Sequence, residues 1–524
     1  MSSTLIISPT PISEYAIVVD PRDNLAVVKR ETQPGLEVSL KDDQIVRIAK
    51  AIPPGHRFAI REIPPGEFVL QYGQPIGTSK GIRNGDQITH DNMSNEVPVI
   101  RELPDDLATP PPDYLDLSER ATFMGFRRQD GRVGTRNYVL IVPTSMCASH
   151  EAQQISIMSE FLHYNREKFP NVDGVVAIPH NKGCGCQDGS TLDVMLRTLS
   201  NYADHPNVGG VILMDLGCEK TNLAFVERYL LKREKSFNKP VAKIGIQEIG
   251  GTEAAIKRGL EEVERMLPEV NRAVREEVPI SELVLGVKCG GSDGFSGISA
   301  NPSLGRAADV LVRSGGTVLI TEVPEFCGAE HILAHRAKNA EVGKAIYRLV
   351  DWYKDYASKF GAVLNQNPSP GNIAGGLLNL TVKSLGAMSK AGTTRVEGTV
   401  EYAESPKSHG LHLMQGPGYD QESTPGLVGA GATVVVFTTG RGTTIGNAIT
   451  PVIKLASNSA VFERMSRDLD LSAGGVIDGT ETIDEVGARV FEQIRKVASG
   501  EVLAKAEEHK HREFQFWAEQ TVSL

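Results

Sequence analysis

The hydrophobic rhythm of the chain changes once, near residue 120. Before that point the apolar runs are short: "YAIVVD", "NLAVVKR", "RFAIREI" and "FVLQYG". The turn-forming stretches "PRDN", "IPPG", "IPPGE" and "RNGD" separate them, which predicts brief strands in a small all-β domain. The longest candidate for an amphipathic helix there is "DDQIVRIAKAI". A proline triplet at 110–112 then marks a stiff, extended linker.

Past Ala121, continuous apolar runs alternate with helical spacing. "NYVLIVPT", "DGVVAIP", "GGVILMDL" and "PVAKIGIQ" are each followed by a helix-like segment such as "EAQQISIMSEFLHYNREKF" or "TLDVMLRTLSNYA". Strands that are apolar throughout, not in alternation, predict parallel sheets covered on both faces. Further runs, "ELVLGVKCGG", "GTVLITEVPE", "HGLHLMQGPG" and "ATVVVFTTGRG", lie beyond Pro279 with a long helix at Val342–Lys359 and a terminal one in "TIDEVGARVFEQIRKVAS". The pattern predicts an all-β domain over 1–96, a linker over 97–120, an α/β domain over 121–279 and a second α/β domain over 280–524.

Composition narrows the class. The 524 residues are 40% hydrophobic and 23% charged, as in ordinary globular proteins. A formal charge of −10 without a basic block argues against nucleic acid as a partner. No apolar run reaches the ~20 residues of a membrane span, and no leader pattern opens the chain. Six cysteines without a disulfide-scaffold spacing fit a reducing compartment, so the expected location is the cytoplasm. A homo-oligomer stays open.

Four of the cysteines follow predicted strands: Cys147, Cys184, Cys218 and Cys289. In open α/β sheets ligands bind at the carboxyl ends of strands, so these thiols are candidate metal ligands, with His180 beside them. The expectation is that Cys184, Cys218 and Cys289 gather at one strand edge, with Cys147 or His180 completing the shell. Thiolates select iron or zinc. Glu322 and Glu325, past "GTVLI", supply acid–base groups, as does Asp293. Asp293 and Ser292 lie in the glycine-rich loop "KCGGSDGFSG", after which Asn301 reads as a helix N-cap and Gly315 as its stop. Arg441, between glycines in "FTTGRGT", suits bidentate capture of a substrate carboxylate, with Lys454 a weaker candidate. No Walker loop or GxGxxG spacing is present, which excludes those nucleotide-binding modes.

The chain resembles the altronate and galactarate dehydratases over nearly its whole length. The resemblance rests on "GHRFAI", "YGQPIG", "DGRVGTRN", "CGGSDGFSGISANP", "NPSPGNIAGGL", "KSLGAMSKAG" and "FTTGRGT". It implies that the N-terminal domain is a β-clip (SAF) module, and that water is removed from a sugar acid to give a 2-keto-3-deoxy acid. It also implies a divalent metal, iron(II) foremost, with an iron–sulfur cluster kept open. His56 in "GHRF" and Asn372 in "NPSPGNIAGGL" match and are expected near substrate, whereas His90 in "THDNM" is out of register. The partner would be a small anionic sugar acid. A sulfo-lyase acting on a hydroxy-sulfonate and a non-catalytic sugar-acid or metal binder are the rival readings.

Overall fold

The computed structural model describes residues 9–41, 44–231, 238–364 and 367–517. The N-terminal module holds three small three-stranded sheets, built from Thr10–Pro11, Glu37–Ser39 and Ile45–Arg47; from Ala16–Ile17, Leu25–Val28 and Arg57–Ala59; and from Phe68–Gln71, Gln74–Ser79 and Met93–Ser94. The stretch with helical promise carries the strand Ile45–Arg47 instead. Its burial explains why: Val46 and Ile48 are buried while Ile45 and Arg47 are exposed, a period of two that only a strand provides.

Two parallel sheets follow. In the smaller, Gly174–Ala177, Tyr138–Pro143, Val208–Asp215 and Val241–Gly245 lie side by side, all parallel. Helices Ser149–Leu162 and Thr252–Val270 pack one face and Ser190–Asp204 the other. The larger has seven parallel strands in the order Val396–Val400, Gly410–Met414, Thr317–Ile320, Val284–Cys289, Val434–Thr439, Val452–Ala456 and Leu471–Ser472. From Val284–Cys289 the chain fills one side first, setting Val396–Val400 at the edge before Gly410–Met414 inserts inside it, and then builds the other side. That reversal beside Val284–Cys289 is the switch point at which α/β sheets open a ligand crevice.

Helix Ala300–Arg313 begins two residues earlier than the sequence predicts, with Ser299 at the N-cap position. Asn301 is committed elsewhere: Nδ2 donates to Gly386 O at 3.0 Å and Oδ1 accepts from Thr438 Oγ1. Gly315 does end this helical region, with φ +89°.

Residues 97–116 form no helix or strand, yet they are held down along the larger sheet's domain. Arg101 makes a paired contact to Asp351 at 2.7 Å, Leu115 N donates to Arg313 O, and Leu103 packs into the core. At the other end, Arg136 of "DGRVGTRN" is buried and makes a forked ion pair to Glu507 at 2.6 and 2.7 Å, which ties the C-terminal tail back to the smaller sheet. No helix among the described residues is long and apolar enough to cross a membrane.

Candidate active site

Three neighbouring strands of the larger sheet deliver the site. Val284–Cys289 ends in Cys289; Thr317–Ile320 is followed by Glu322; Val434–Thr439 is followed by Arg441. Glu322 has φ +73°, a left-handed conformation that costs a non-glycine residue about 1–3 kcal/mol. That strain turns the chain so that Glu322 and Glu325, one short helical turn apart, both point inward.

The carboxylates meet three ammonium groups, of which those of Lys288 and Lys390 are buried and that of Lys383 is partly so. Lys390 Nζ donates to Glu325 Oε2 at 2.8 Å and to Cys289 Sγ at 3.1 Å. Lys383 Nζ lies 3.3 Å from Glu325 Oε1. Lys288 pairs with Glu322, sits 3.0 Å from Asp420 Oδ1 and donates to Ser423 Oγ at 2.7 Å. Buried charges persist only when paired in this way, because removing them from water costs several kcal/mol each.

The two glutamates are driven apart in protonation. Burial, and then the charge of Glu325, push the Glu322 carboxyl up to about 8 against the pull of Lys288 and Lys390. Burial acts upward on Glu325 too, but Lys390, Lys383 and Lys288 overcome it and hold that carboxyl well below the usual range. Cys289 is pushed up to about 12 by burial and by Glu325, so it is a neutral thiol, 3.2 Å from Glu325 Oε2.

The N-terminal module closes the site from above. Gly55 and His56 reach the loops 293–294 and 374–376, where His56 Nε2 meets Ala374 O at 3.4 Å. A small cavity between the modules is lined by Tyr72, Cys289, Ser292, Asp293 and Lys383. Ser292 Oγ is buried without a partner among the described residues. Asn372 Nδ2 donates to Ser292 O at 2.8 Å. Asp293 is fully occupied: it accepts from Phe295 N, from Ser296 N and Oγ, from Ser457 Oγ and from Asn458 Nδ2, and so fixes its loop. Arg441 is exposed at the rim beside Gly375 and Asp293, and no partner engages its guanidinium among the described residues. Lys454 stands apart, donating to Thr444 O at 3.2 Å with burial lowering its pKa.

The expected metal set is divided. Cys147, Cys184 and Cys218 follow strands of the smaller sheet, while Cys289 ends a strand of the larger one. Among the described residues, the group of three whose donor atoms lie within 4.8 Å of one another is Cys289, Glu322 and Glu325, a group that a metal ion could use. Lys390 bonds to two of its members. His180 has both ring nitrogens engaged: Nε2 meets Pro143 O at 2.9 Å and Nδ1 accepts from Lys182 N. Burial lowers its pKa to about 4, so the ring is neutral.

Comparison with known proteins follows these domains. The D-galactarate/altronate dehydratase C-terminal model matches residues 280–522, the D-galactarate dehydratase/altronate hydrolase second-domain model 125–271, and the altronate/galactarate dehydratase SAF domain 14–96. The altronate dehydratase of Bacillus subtilis (strain 168) is 35% identical over 93% of this chain and 95% of its own. The chain belongs to the altronate/galactarate dehydratase family. The galactarate dehydratase (L-threo-forming) of Escherichia coli (strain K12) is 37% identical over 95% of both chains. The (2R)-sulfolactate sulfo-lyase subunit beta of Chromohalobacter salexigens is 32% identical over 76% of this chain and 98% of its own.

In this family member, Lys288, Lys383, Lys390 and Tyr72 are the site residues that motif reasoning did not single out. A signal was available: "KSLGAMSK" places two lysines seven residues apart, two helical turns, with no other charge between them.

Proposed function

We propose that this chain removes water from a hexonate or hexarate of the altronate or galactarate type, giving a 2-keto-3-deoxy acid. The observation that carries the reading is the buried Glu322–Glu325 pair, held in opposite protonation states among three lysines. Carboxyls separated in this way divide acid and base work.

In the reaction the C2–H bond breaks and its proton passes to a base. The C3–O bond breaks, and the hydroxyl leaves with a proton as water. The enol left behind takes a proton at C3, gives up the proton of its C2 hydroxyl and becomes the 2-keto acid. Glu322, protonated, gives the departing hydroxyl its proton. Glu325 takes the C2 proton. Without substrate the lysines hold it too acidic to be a good base; a substrate carboxylate drawing on Lys383 and Lys390 relaxes that hold. The same ammonium groups then stabilise the enolate.

Arg441 and His56 bind the acid at the rim and Ser292 from within the cavity, while Asn372 and Asp293 hold the loops that shape it. Lys454, held on Thr444, keeps at most a remote role. The reading includes a divalent metal, iron(II) foremost, which would polarise a substrate oxygen and ease departure of hydroxide. The strand-edge thiols of the smaller sheet would hold it, because Glu322 and Glu325 carry the protons and Cys289 is a neutral thiol held by Lys390.

Loss of water is favoured over loss of sulfite because the dehydratase relatives match 93% and 95% of the chain and the sulfo-lyase subunit 76%. A screen of C5 and C6 aldonates and aldarates, with ferrous iron under reducing conditions, tests the proposal. Release of 2-keto acid from altronate or galactarate supports it. Sulfite release from a hydroxy-sulfonate, with no keto acid from any sugar acid, would overturn it.

A further inference from the structure

Three thiols that the glutamate–lysine cluster does not use stand at one edge of the smaller sheet. Cys147 follows Tyr138–Pro143, Cys184 follows Gly174–Ala177 and Cys218 follows Val208–Asp215, and these three strands are neighbours. All three residues are exposed and free, whereas Cys186, Cys289 and Cys327 are buried. Free cysteine is among the most buried residue types, so packing does not account for three exposed ones on adjacent loops.

The loops are fastened to one another. Met146 N donates to Lys182 O at 2.7 Å, joining the Cys147 loop to the Cys184 loop. Gly183 has φ +130°, and a Cβ there would lie 2.4 Å from Ser145 Cβ, so glycine permits this contact and a larger residue does not. The buried Glu219 carboxylate accepts from Thr144 Oγ1 at 3.0 Å, Ser145 Oγ at 2.8 Å and its own loop amides, which ties the Cys218 loop to the Cys147 loop. Gln247 Nε2 donates to Cys218 Sγ at 3.7 Å, the kind of outer contact that supports a thiolate ligand.

The three sulfurs are not within 4.8 Å of one another, the spacing a shared single ion would need. A cluster of several iron and sulfide ions spans more. Soft thiolates select such clusters, and three protein ligands leave one position open. In contrast to Cys289, none of these sulfurs receives a lysine hydrogen bond among the described residues.

This edge opens on the same side as the glutamate–lysine cluster. Helix Ser190–Asp204 begins at the thiol edge and packs on Asp420–Gly429, which begins beside Lys288. Their far ends meet where Asn201 Nδ2 donates to Gly429 O at 2.9 Å, so the two helices run the same way.

We propose that Cys147, Cys184 and Cys218 bind an iron–sulfur cluster at the carboxyl edge of the smaller sheet. It deepens the dehydratase reading by naming the residues that hold iron, and rests on that reading only for the role of the cluster.

The test is made on the full chain purified without oxygen. Iron and acid-labile sulfide are counted per chain, before and after reconstitution with ferrous iron and sulfide. The expected result is iron and sulfide in equal amounts, lowered several-fold in Cys147→Ser, Cys184→Ser and Cys218→Ser and retained in Cys186→Ser and Cys289→Ser. Iron without sulfide, no uptake on reconstitution, or loss only in Cys289→Ser overturns the proposal. Should a variant not fold, alkylation of the wild-type chain decides. Iodoacetamide should modify the three thiols in metal-free protein and spare them after reconstitution; equal labelling overturns the proposal. Dehydration is assayed in the same samples. A cluster without activity sinks the dehydratase reading alone, and activity without a cluster sinks the cluster alone.

Discussion

Lys390 Nζ lies 2.8 Å from Glu325 Oε2, with both side chains closed off from solvent. Lys390 is the first of the cations that offset the burial of Glu325, and Glu325 in turn helps offset the burial of Lys390. Lys390→Met therefore removes the cation nearest a buried carboxylate, leaving only Lys383 and Lys288 to offset it, and should cost up to about 3–5 kcal/mol of stability, read as a lower denaturant midpoint. Adding Glu325→Gln to that variant should restore part of the loss, since the two effects are coupled. Additive losses would show that the pair is not coupled.

Glu322 sets the alkaline limb of activity. Its folded carboxyl titrates at about 8 and must keep its proton to act as the acid, so turnover should fall as pH rises through about 8. Because the folded state binds this proton more tightly than the unfolded chain, whose carboxyl titrates near 4.5, the same group lowers folding stability as pH rises from about 4.5 to about 8. Glu322→Gln should lose about 10²–10⁴-fold in kcat and flatten the limb. A residual rate with an unchanged limb would assign the limb to another group.

Arg441 offers a test that leaves the fold alone. Its exposed guanidinium has no partner among the described residues, so Arg441→Lys should melt like the wild type. Loss of the planar fork should still lower kcat/KM by about 10- to 100-fold, the equivalent of roughly 1.5–3 kcal/mol for a hydrogen bond to a charged group. Unchanged kinetics would remove Arg441 from the site.

Gly55 joins the N-terminal module to the site. It has φ +83°, and a Cβ would lie 2.5 Å from Gly375 O. Gly55→Ala should push the His56 loop away from the loop at 374–376, costing about 1–3 kcal/mol and lowering activity while far-ultraviolet circular dichroism stays the same. Full activity would show that closure by this module is dispensable.

Much of this architecture is legible in the sequence because continuous apolar runs encode parallel strands directly. Those runs also place Glu322 and Arg441 just past strands, where the structure has them, while Cys289 is the last residue of its strand. What the runs do not encode is which strands share a sheet. Cys147, Cys184 and Cys218 look equivalent to Cys289 along the chain, yet Cys289 belongs to the other sheet. The lysines were hidden for a related reason. Lys288, Lys383 and Lys390 are charges inside apolar segments, and their meaning appears only when tertiary packing brings the two glutamates to them. The segment "DDQIVRIAKAI" shows the same limit locally: its apolar residues satisfy helix and strand spacing alike, and packing of Val46 and Ile48 decides for the strand.

The most direct measurement is 2-keto acid formation from galactarate and altronate by the wild-type chain and by Glu325→Gln, each loaded with ferrous iron. The account predicts stoichiometric 2-keto-3-deoxy acid from one of these substrates with the wild type. It predicts a rate lower by about 10²–10⁴-fold in the variant, with its fold retained. Wild-type turnover by Glu325→Gln, or no keto acid from either substrate with the wild-type chain, would contradict it.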